Sequence, residues 1–258
     1  MSTGTPAPGT EAGNPASVVD VLVQEIACLP RGSRAPSEAE IVSRFGIPRS
    51  RARHVVDRLE SGLLVHRRHG AGTFVSRPYE YVVSVSARPS LHQTIEAAGG
   101  TVRTQPMSVR TVEAPTWVAD WLGIAPGTPL AEVVRVGHLD ERPAVHLREY
   151  FAPGVLDEVA VALKVIESVE EILRAARAVP YRAQCRGTVE TPPSEVLRHL
   201  YLPPAHLAWR VDSLLRDRRS GAPLVVSHNY SRMDVIRMVF DQREPRSDGE
   251  RGGDSSHE

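Results

Sequence analysis

The sequence predicts two domains of different class: an N-terminal winged helix-turn-helix, α-helical with a small β wing, and a C-terminal α+β domain built on an antiparallel sheet. Three observations predict this. Residues 36–75 read as helix, tight turn, helix and a glycine-tipped hairpin. From Val82 onward that texture gives way to strand-like runs joined by hairpin turns and interspersed with short helical runs. Residues 1–14 and 243–258 are rich in Gly, Ser, Pro and charge, the composition of disordered tails. The expected domains are 15–77 and 85–242, joined by a linker at 78–84.

Asn14-Pro15 suits a helix start, and Val18, Val19, Leu22, Val23 and Ile26 form an apolar stripe over Ala16 to Leu29. Ser37 can cap the next helix while Glu40 reaches back to the cap's amide, and Gly46 ends it. A third helix runs from Pro48 to Ser61, where Ala52, Val55, Val56 and Leu59 gather on one side. Ser50, Arg53, His54, Asp57 and Arg58 fall on the opposite side, with Arg49 and Arg51 flanking the start. Strands Leu64–Arg67 and Thr73–Val75 then enclose His69-Gly70-Ala71-Gly72, a wing loaded with Arg67, Arg68 and His69.

The 258-residue chain is neutral, with 31 basic and 31 acidic side chains. Residues 44–77, however, hold eight arginines against Asp57 and Glu60, a local net charge of +6. Charge focused on one surface of a neutral protein fits phosphate contact, and arginine's planar fork also matches the paired acceptors of guanine. Arg49, Ser50, Arg51, Arg53, His54, Arg58, Arg67, Arg68, His69, Gly70, Gly72 and Thr73 are therefore the residues expected to meet double-stranded DNA. The competing reading is a solvated helix face.

Apolar residues make up 41% of the chain, enough for real cores. No run approaches a membrane span and the polar start has no signal-peptide pattern, so a cytoplasmic protein is expected. Cys28 and Cys185 have no metal-binding spacing and read as reduced thiols. No glycine-rich phosphate loop occurs, and neither cofactor nor metal is expected.

In the second domain a helix over Ser90–Ala98 stops at Gly99-Gly100, followed by an extended run over Thr101–Glu113. Pro115 places a helix over Ala114–Leu122, with Trp117 and Trp121 one turn apart as core anchors. Strands Leu130–Leu139 and Ala144–Phe151 flank a hairpin loop, and helices are expected at 154–163 and 168–178. Strand Gln184–Glu190, helix Pro192–Leu200 and a hairpin of Ala208–Arg216 with Pro223–Ser231 complete the domain. A buried anion needs convergent charge-assisted donors. By strand parity His146, Arg148 and Tyr150 share one face, and so do His228, Tyr230 and Arg232, which makes them the leading candidates to bind a small effector. Arg88 and Ser90 lie at a helix start, which also favours an anion.

PSE before the first turn of the motif, FGI at the turn, RxxLExxGL along the second helix and RRHGAGTFV in the wing resemble the DNA-binding domain of the GntR superfamily of bacterial transcription regulators. On that resemblance Arg49 and Arg53 occupy operator-contacting positions and Gly72 the wing tip. The chain departs from the family at Pro48 and Arg51, where serine and threonine are usual. LGIAPGTPLAEVVRVGHLDERPAVHLREYF and SGAPLVVSHNYSRMD are similar to the UTRA effector domain of the HutC branch, which implies a chorismate-lyase-like fold and a small-metabolite ligand. ARPSLHQTI, REYFAPGVL and YSRMDVIRMVF most resemble its phosphonate-utilisation (PhnF-like) regulators. The resemblance adds Ser168 and Glu190 as pocket positions and makes Arg135 the first arginine of the Arg-x-Arg pair of sugar-phosphate sensors, with Gly137 at the second. It implies a homodimeric repressor controlled by a small, anionic, phosphonate- or phosphate-like effector. Two alternatives stand beside it: a lyase-like enzyme, for which no catalytic constellation is visible, and a DNA-binding protein whose second domain only dimerises.

Overall fold

Residues 15–68, 70–84, 88, 90–156 and 159–240 are described by a computed structural model of the chain. Both expected tails lie outside them. The chain divides into two units, the first comprising residues 1–78 with 233–235 and the second the remainder.

In the first unit α1 (Pro15–Cys28), α2 (Glu38–Phe45) and α3 (Arg49–Ser61) precede a hairpin of β1 (Val65–Arg68) and β2 (Gly72–Val75). The capping box forms as its residues dictate: Glu40's amide donates to Ser37 Oγ at 3.2 Å, and Ser37's amide donates to the Glu40 carboxylate at 2.7 Å. Gly46 leaves α2 in a left-handed conformation at φ 65°, turning the chain within three residues into α3. Leu22, Ile26, Ile41, Ala52, Val55, Leu59, Val65 and Val75 close a single core. The larger of these each contribute roughly 1.5–3 kcal/mol by leaving water. The hairpin register ends at Arg68↔Gly72, with Gly70 at φ 71° and Gly72 at φ 116°.

The second unit contains β3 (Tyr79–Val83), α4 (Leu91–Ala97), β4 (Val102–Glu113), α5 (Thr116–Leu122), β5 (Pro129–Leu139), β6 (Arg142–Phe151), α6 (Val159–Val165), α7 (Val169–Ala175), β7 (Pro180–Glu190), α8 (Ser194–His199), β8 (Ala208–Asp217), β9 (Pro223–Arg232) and β10 (Ile236–Phe240). Six strands form one antiparallel sheet in the order β4-β5-β6-β9-β8-β7. Both faces are covered. On one, Val133, Phe151, Leu215 and Val225 pack under α6 and α7. On the other, Leu130, Tyr150 and Val226 pack against α5, and Val136 and Tyr230 against α8.

Several expectations are corrected. Residues 78–84, read as a linker, supply β3, which pairs in parallel with β10, a strand the sequence reading lacks. Their partners are more than 150 residues apart in the chain, so no turn signal announces the pairing. Met233–Val235, expected within the second domain, group with the first unit. Pro153-Gly154, expected to open a helix at 154, makes a turn instead, with Gly154 at φ 76°, and α6 is described over Val159–Val165. Trp117 remains 36% exposed; α5 buries Val118, Ala119 and Leu122 instead. Among the described residues no helix is long and apolar enough to cross a membrane.

Candidate functional site

The buried stripe of α3 fixes which way its arginines point. Ala52, Val55, Val56 and Leu59 face the core, which leaves Arg49, Ser50, Arg51, Arg53, His54 and Arg58 exposed on the outer side. The side chains of Arg49 and Arg53 are 82% and 65% exposed and lie only 3.8 and 3.6 Å from Glu38, a loose pairing that another anion can replace. In the wing, Arg68 and Gly70 are exposed, Gly72 is exposed at the end of the turn and Thr73 is half-buried. His69 lies outside the described residues. Arg67 departs from expectation: its guanidinium donates to Asp57 at 2.6 Å and to Glu60 at 2.8 Å, so it ties the wing to α3. Arg44 is likewise paired with Glu25, and Arg77 donates to the Ala27 carbonyl. Arg34, which no sequence pattern singles out, donates to the Ala71 carbonyl at 2.9 Å and stacks over Phe74, bracing the wing tip.

A cavity of about 90 Å³ lies in the second unit between one sheet face, α4, α7 and the β3–β10 ribbon. Of the residues expected to bind an effector, Ser90, Arg135 and Ser168 line it, and Arg88 reaches its wall by donating to Glu170. The two serines serve as helix caps, accepting from the amides of Gln93 and Glu171. Arg135, 4% exposed, donates through Nε and Nη2 to both oxygens of Glu149 at 2.8 Å and through Nη1 to the Glu167 carbonyl. Its charge is therefore already matched.

His146, Arg148, Tyr150, Glu190, His228, Tyr230 and Arg232 do not reach the cavity. The parity grouping of His146, Arg148 and Tyr150 and of His228, Tyr230 and Arg232 is correct, but both sets face α5 and α8 on the opposite side of the sheet. Because both faces are covered, alternation identifies a face without saying which one holds a cavity. Most of the charged groups there pair with one another. Arg110 and Arg148 donate to Glu132 at 2.5 and 3.2 Å. Burial pushes the Glu132 carboxyl up, but those guanidinium groups outweigh it and the net shift is downward. His228 Nδ1 lies 2.6 Å from Asp212, which burial raises and His228 and Arg210 lower, again with a net downward shift. Tyr230 donates to Glu190 at 2.7 Å, and Arg232 to the Leu200 carbonyl at 3.0 Å. Burial, with His199 and Arg148 nearby, holds the pKa of His146 at about 4, so its ring is neutral.

The odd-numbered neighbours on β6, β8 and β9 line the cavity instead, among them Glu149, Ser213 and Asn229. Arg182 joins them. It is 8% exposed, its Nη2 donates to the Tyr81 hydroxyl at 2.6 Å, and its Nε and Nη1 have no hydrogen-bond partner among the described residues. Asn229 Oδ1 is similarly unpartnered. Sequence parity could not find Arg182, because a register shift between Arg182 and Gln184 breaks the alternation of β7.

The arrangement offers an exposed arginine-bearing helix beside a basic wing and, in the second unit, a small cavity with one uncompensated guanidinium. The pattern of the UTRA domain matches residues 97–237, and that of the bacterial regulatory proteins, gntR family, matches residues 16–75. The HTH-type transcriptional regulator Rv0792c of Mycobacterium tuberculosis is 32% identical over 127 residues, 49% of this chain and 46% of that protein. The chain thus spans about half the length of that relative. An uncharacterized HTH-type transcriptional regulator of Rhizobium meliloti is 24% identical over 204 residues, covering 79% of this chain and 83% of the relative. The crystal structure of PhnF from Mycobacterium smegmatis shares the fold at a TM-score of 0.55 and 18% identity, covering 89% of this chain and all of that one.

Proposed function

The chain belongs to the UTRA domain family and carries a gntR-family domain, and from that premise we propose that it is a homodimeric, cytoplasmic transcription repressor. Its operator affinity is controlled by a small anionic effector of phosphonate or phosphate type. Two exposed α3 helices related by a two-fold axis would read the half-sites of a pseudo-palindrome, with Arg49, Arg53 and Arg58 in the major groove and Arg68 along the backbone.

The observation that carries the effector half of this reading is Arg182. A buried cation with two nitrogens lacking acceptors among the described residues is costly unless a ligand supplies them, and a phosphoryl or phosphonyl oxygen does so with charge assistance. Arg135 is not the anion's partner, because Glu149 already neutralises it. Asn229 gives a second polar contact for the remainder of the ligand. The cavity size favours a compact effector. No reaction is assigned to the cavity, where Ser90 and Ser168 are tied as helix caps. Coupling follows the chain: Tyr81, which accepts from Arg182, lies in β3, and only residues 76–78 separate β3 from β2 of the wing. An effector that re-aims Arg182 therefore acts on the strand leading to the wing, with a coupling typically of about 1–3 kcal/mol that is felt equally by effector and operator.

Melting midpoints of the protein are measured with phosphonates, phosphate, sugar phosphates, urocanate and amino acids, and operator binding with each ligand that shifts them. A selective rise with phosphonates or phosphate, coupled to a several-fold change in operator affinity, is expected. Arg182→Ala should lose both responses while binding the operator normally. An Arg182→Ala protein that still responds like the wild type overturns the assignment of the anion site.

A further inference from the structure

On the sheet face away from the cavity, His146 of β6 meets α8, where Glu195 and His199 stand one turn apart. One side-chain donor atom from each of the three lies within 4.8 Å of the others. His146 is 1% exposed, and its Nε2 has no hydrogen-bond partner among the described residues; neither has Nδ1 of His199. The two rings stack with centroids 5.3 Å apart and planes 13° apart. Hydrogen bonding therefore does not explain why two imidazoles are held together here with ring nitrogens buried and unused.

We propose that His146, Glu195 and His199 form a binding site for a borderline divalent first-row transition-metal ion, Zn2+ being the type. Two imidazole nitrogens and one carboxylate oxygen are the ligand set that selects such ions over Mg2+ or Ca2+, which take oxygen donors. Three protein ligands leave one position for water. Donors on a tetrahedral ion with bonds of about 2.0–2.1 Å stand roughly 3.3 Å apart, so the cluster closes by side-chain rotation of Glu195 and His199, the two members not fully buried. Glu195 gives up only a loose pairing with Arg148 at 3.6 Å, and Arg148 keeps Glu132 at 3.2 Å. The bound ion joins the short helix α8 to the central strand β6. Cysteine and histidine spacing in the sequence does not reveal this site, because it needs a strand residue almost 50 positions upstream of the helix pair.

The test uses the full chain, free of any affinity tag and stripped with EDTA, titrated calorimetrically with Zn2+, with melting midpoints taken with and without the ion. One ion per chain and a raised midpoint are expected, while Mg2+ produces neither. Glu195→Gln and His199→Ala should each weaken Zn2+ binding more than about 10-fold, since even the loss of an outer partner costs that much, and should remove the midpoint rise. Absence of stoichiometric binding, or binding by both variants as tight as that of the unaltered chain, overturns the proposal. Should His199→Ala fail to fold, Glu195→Gln decides alone, because it exchanges an accessible carboxylate for an amide of the same shape.

Discussion

At the scale of single residues, arginines that look alike in the sequence divide by what they touch. Arg53 has only a loose pairing with Glu38, whereas Arg67 is held by Asp57 and Glu60. Replacing Arg53 with alanine should weaken operator binding about 10- to 100-fold, the range for loss of a base-reading contact, and leave the melting midpoint unchanged. Arg67→Ala should show the reverse pattern: a stability loss of about 0.5–1 kcal/mol, reduced because the group is partly exposed, with a smaller effect on operator binding. Fluorescence anisotropy with labelled operator and thermal melting on the same samples separate the two. If Arg67→Ala loses affinity as severely as Arg53→Ala without destabilisation, the wing arginine contacts DNA directly. The local charge count of residues 44–77 could not make this distinction, because Glu25 and Glu38 lie outside that window and reach into it only after folding.

At the scale of elements, the ribbon of β3 and β10 is what the sequence reading did not contain, and it supplies Tyr81, Ile236 and Met238 to the cavity wall. Its attachment is specific. Tyr79 donates to Asp140 at 2.6 Å, and its ring occupies the space where Gly100 lacks a side chain: a Cβ there would stand 2.0 Å from the Tyr79 hydroxyl oxygen and 2.9 Å from Ile95 Cγ2. Gly100→Ala should therefore destabilise the chain by about 1–3 kcal/mol through overpacking. Adding Tyr79→Phe should recover part of that loss, because the closest clash is with the hydroxyl. Denaturant unfolding of the single and double variants measures it; additive losses would mean that Gly100 does not seat the ribbon. The glycine pair at 99–100 was legible as a helix stop, but the reason for the second glycine lay in a strand 21 residues upstream.

At the scale of the whole molecule, the polar layer beneath α5 and α8 contributes to the response to acid. Glu132 and Asp212 have pKa values held below their ordinary ones. Their contribution is present in full above the ordinary carboxylate range and is lost as pH falls through the lower folded values, because the unfolded chain takes up protons first. From these two groups no change in the melting midpoint is expected between pH 7 and about 5, with a decline below about pH 4. Glu132→Gln should flatten that acid limb. A variant whose midpoint falls with the wild-type slope would show that the Arg110–Glu132–Arg148 cluster is not what acid disrupts.

The sequence by itself determined the helix-turn-helix, its capping box, the wing, the six long strands and the family, because these depend on caps, turns and periodicities within about 15 residues. It also determined which strand residues share a face. Only the tertiary structure decided which face holds the cavity, since helices cover both sides and burial then carries no directional signal. It alone decided that Arg135 is neutralised by Glu149, that Arg182, past a register shift, keeps two buried nitrogens without acceptors among the described residues, and that the ribbon unites residues 79–83 with 236–240. Each of these is a pairing between distant parts of the chain, and the chemistry of such a group is fixed by the partner that folding gives it.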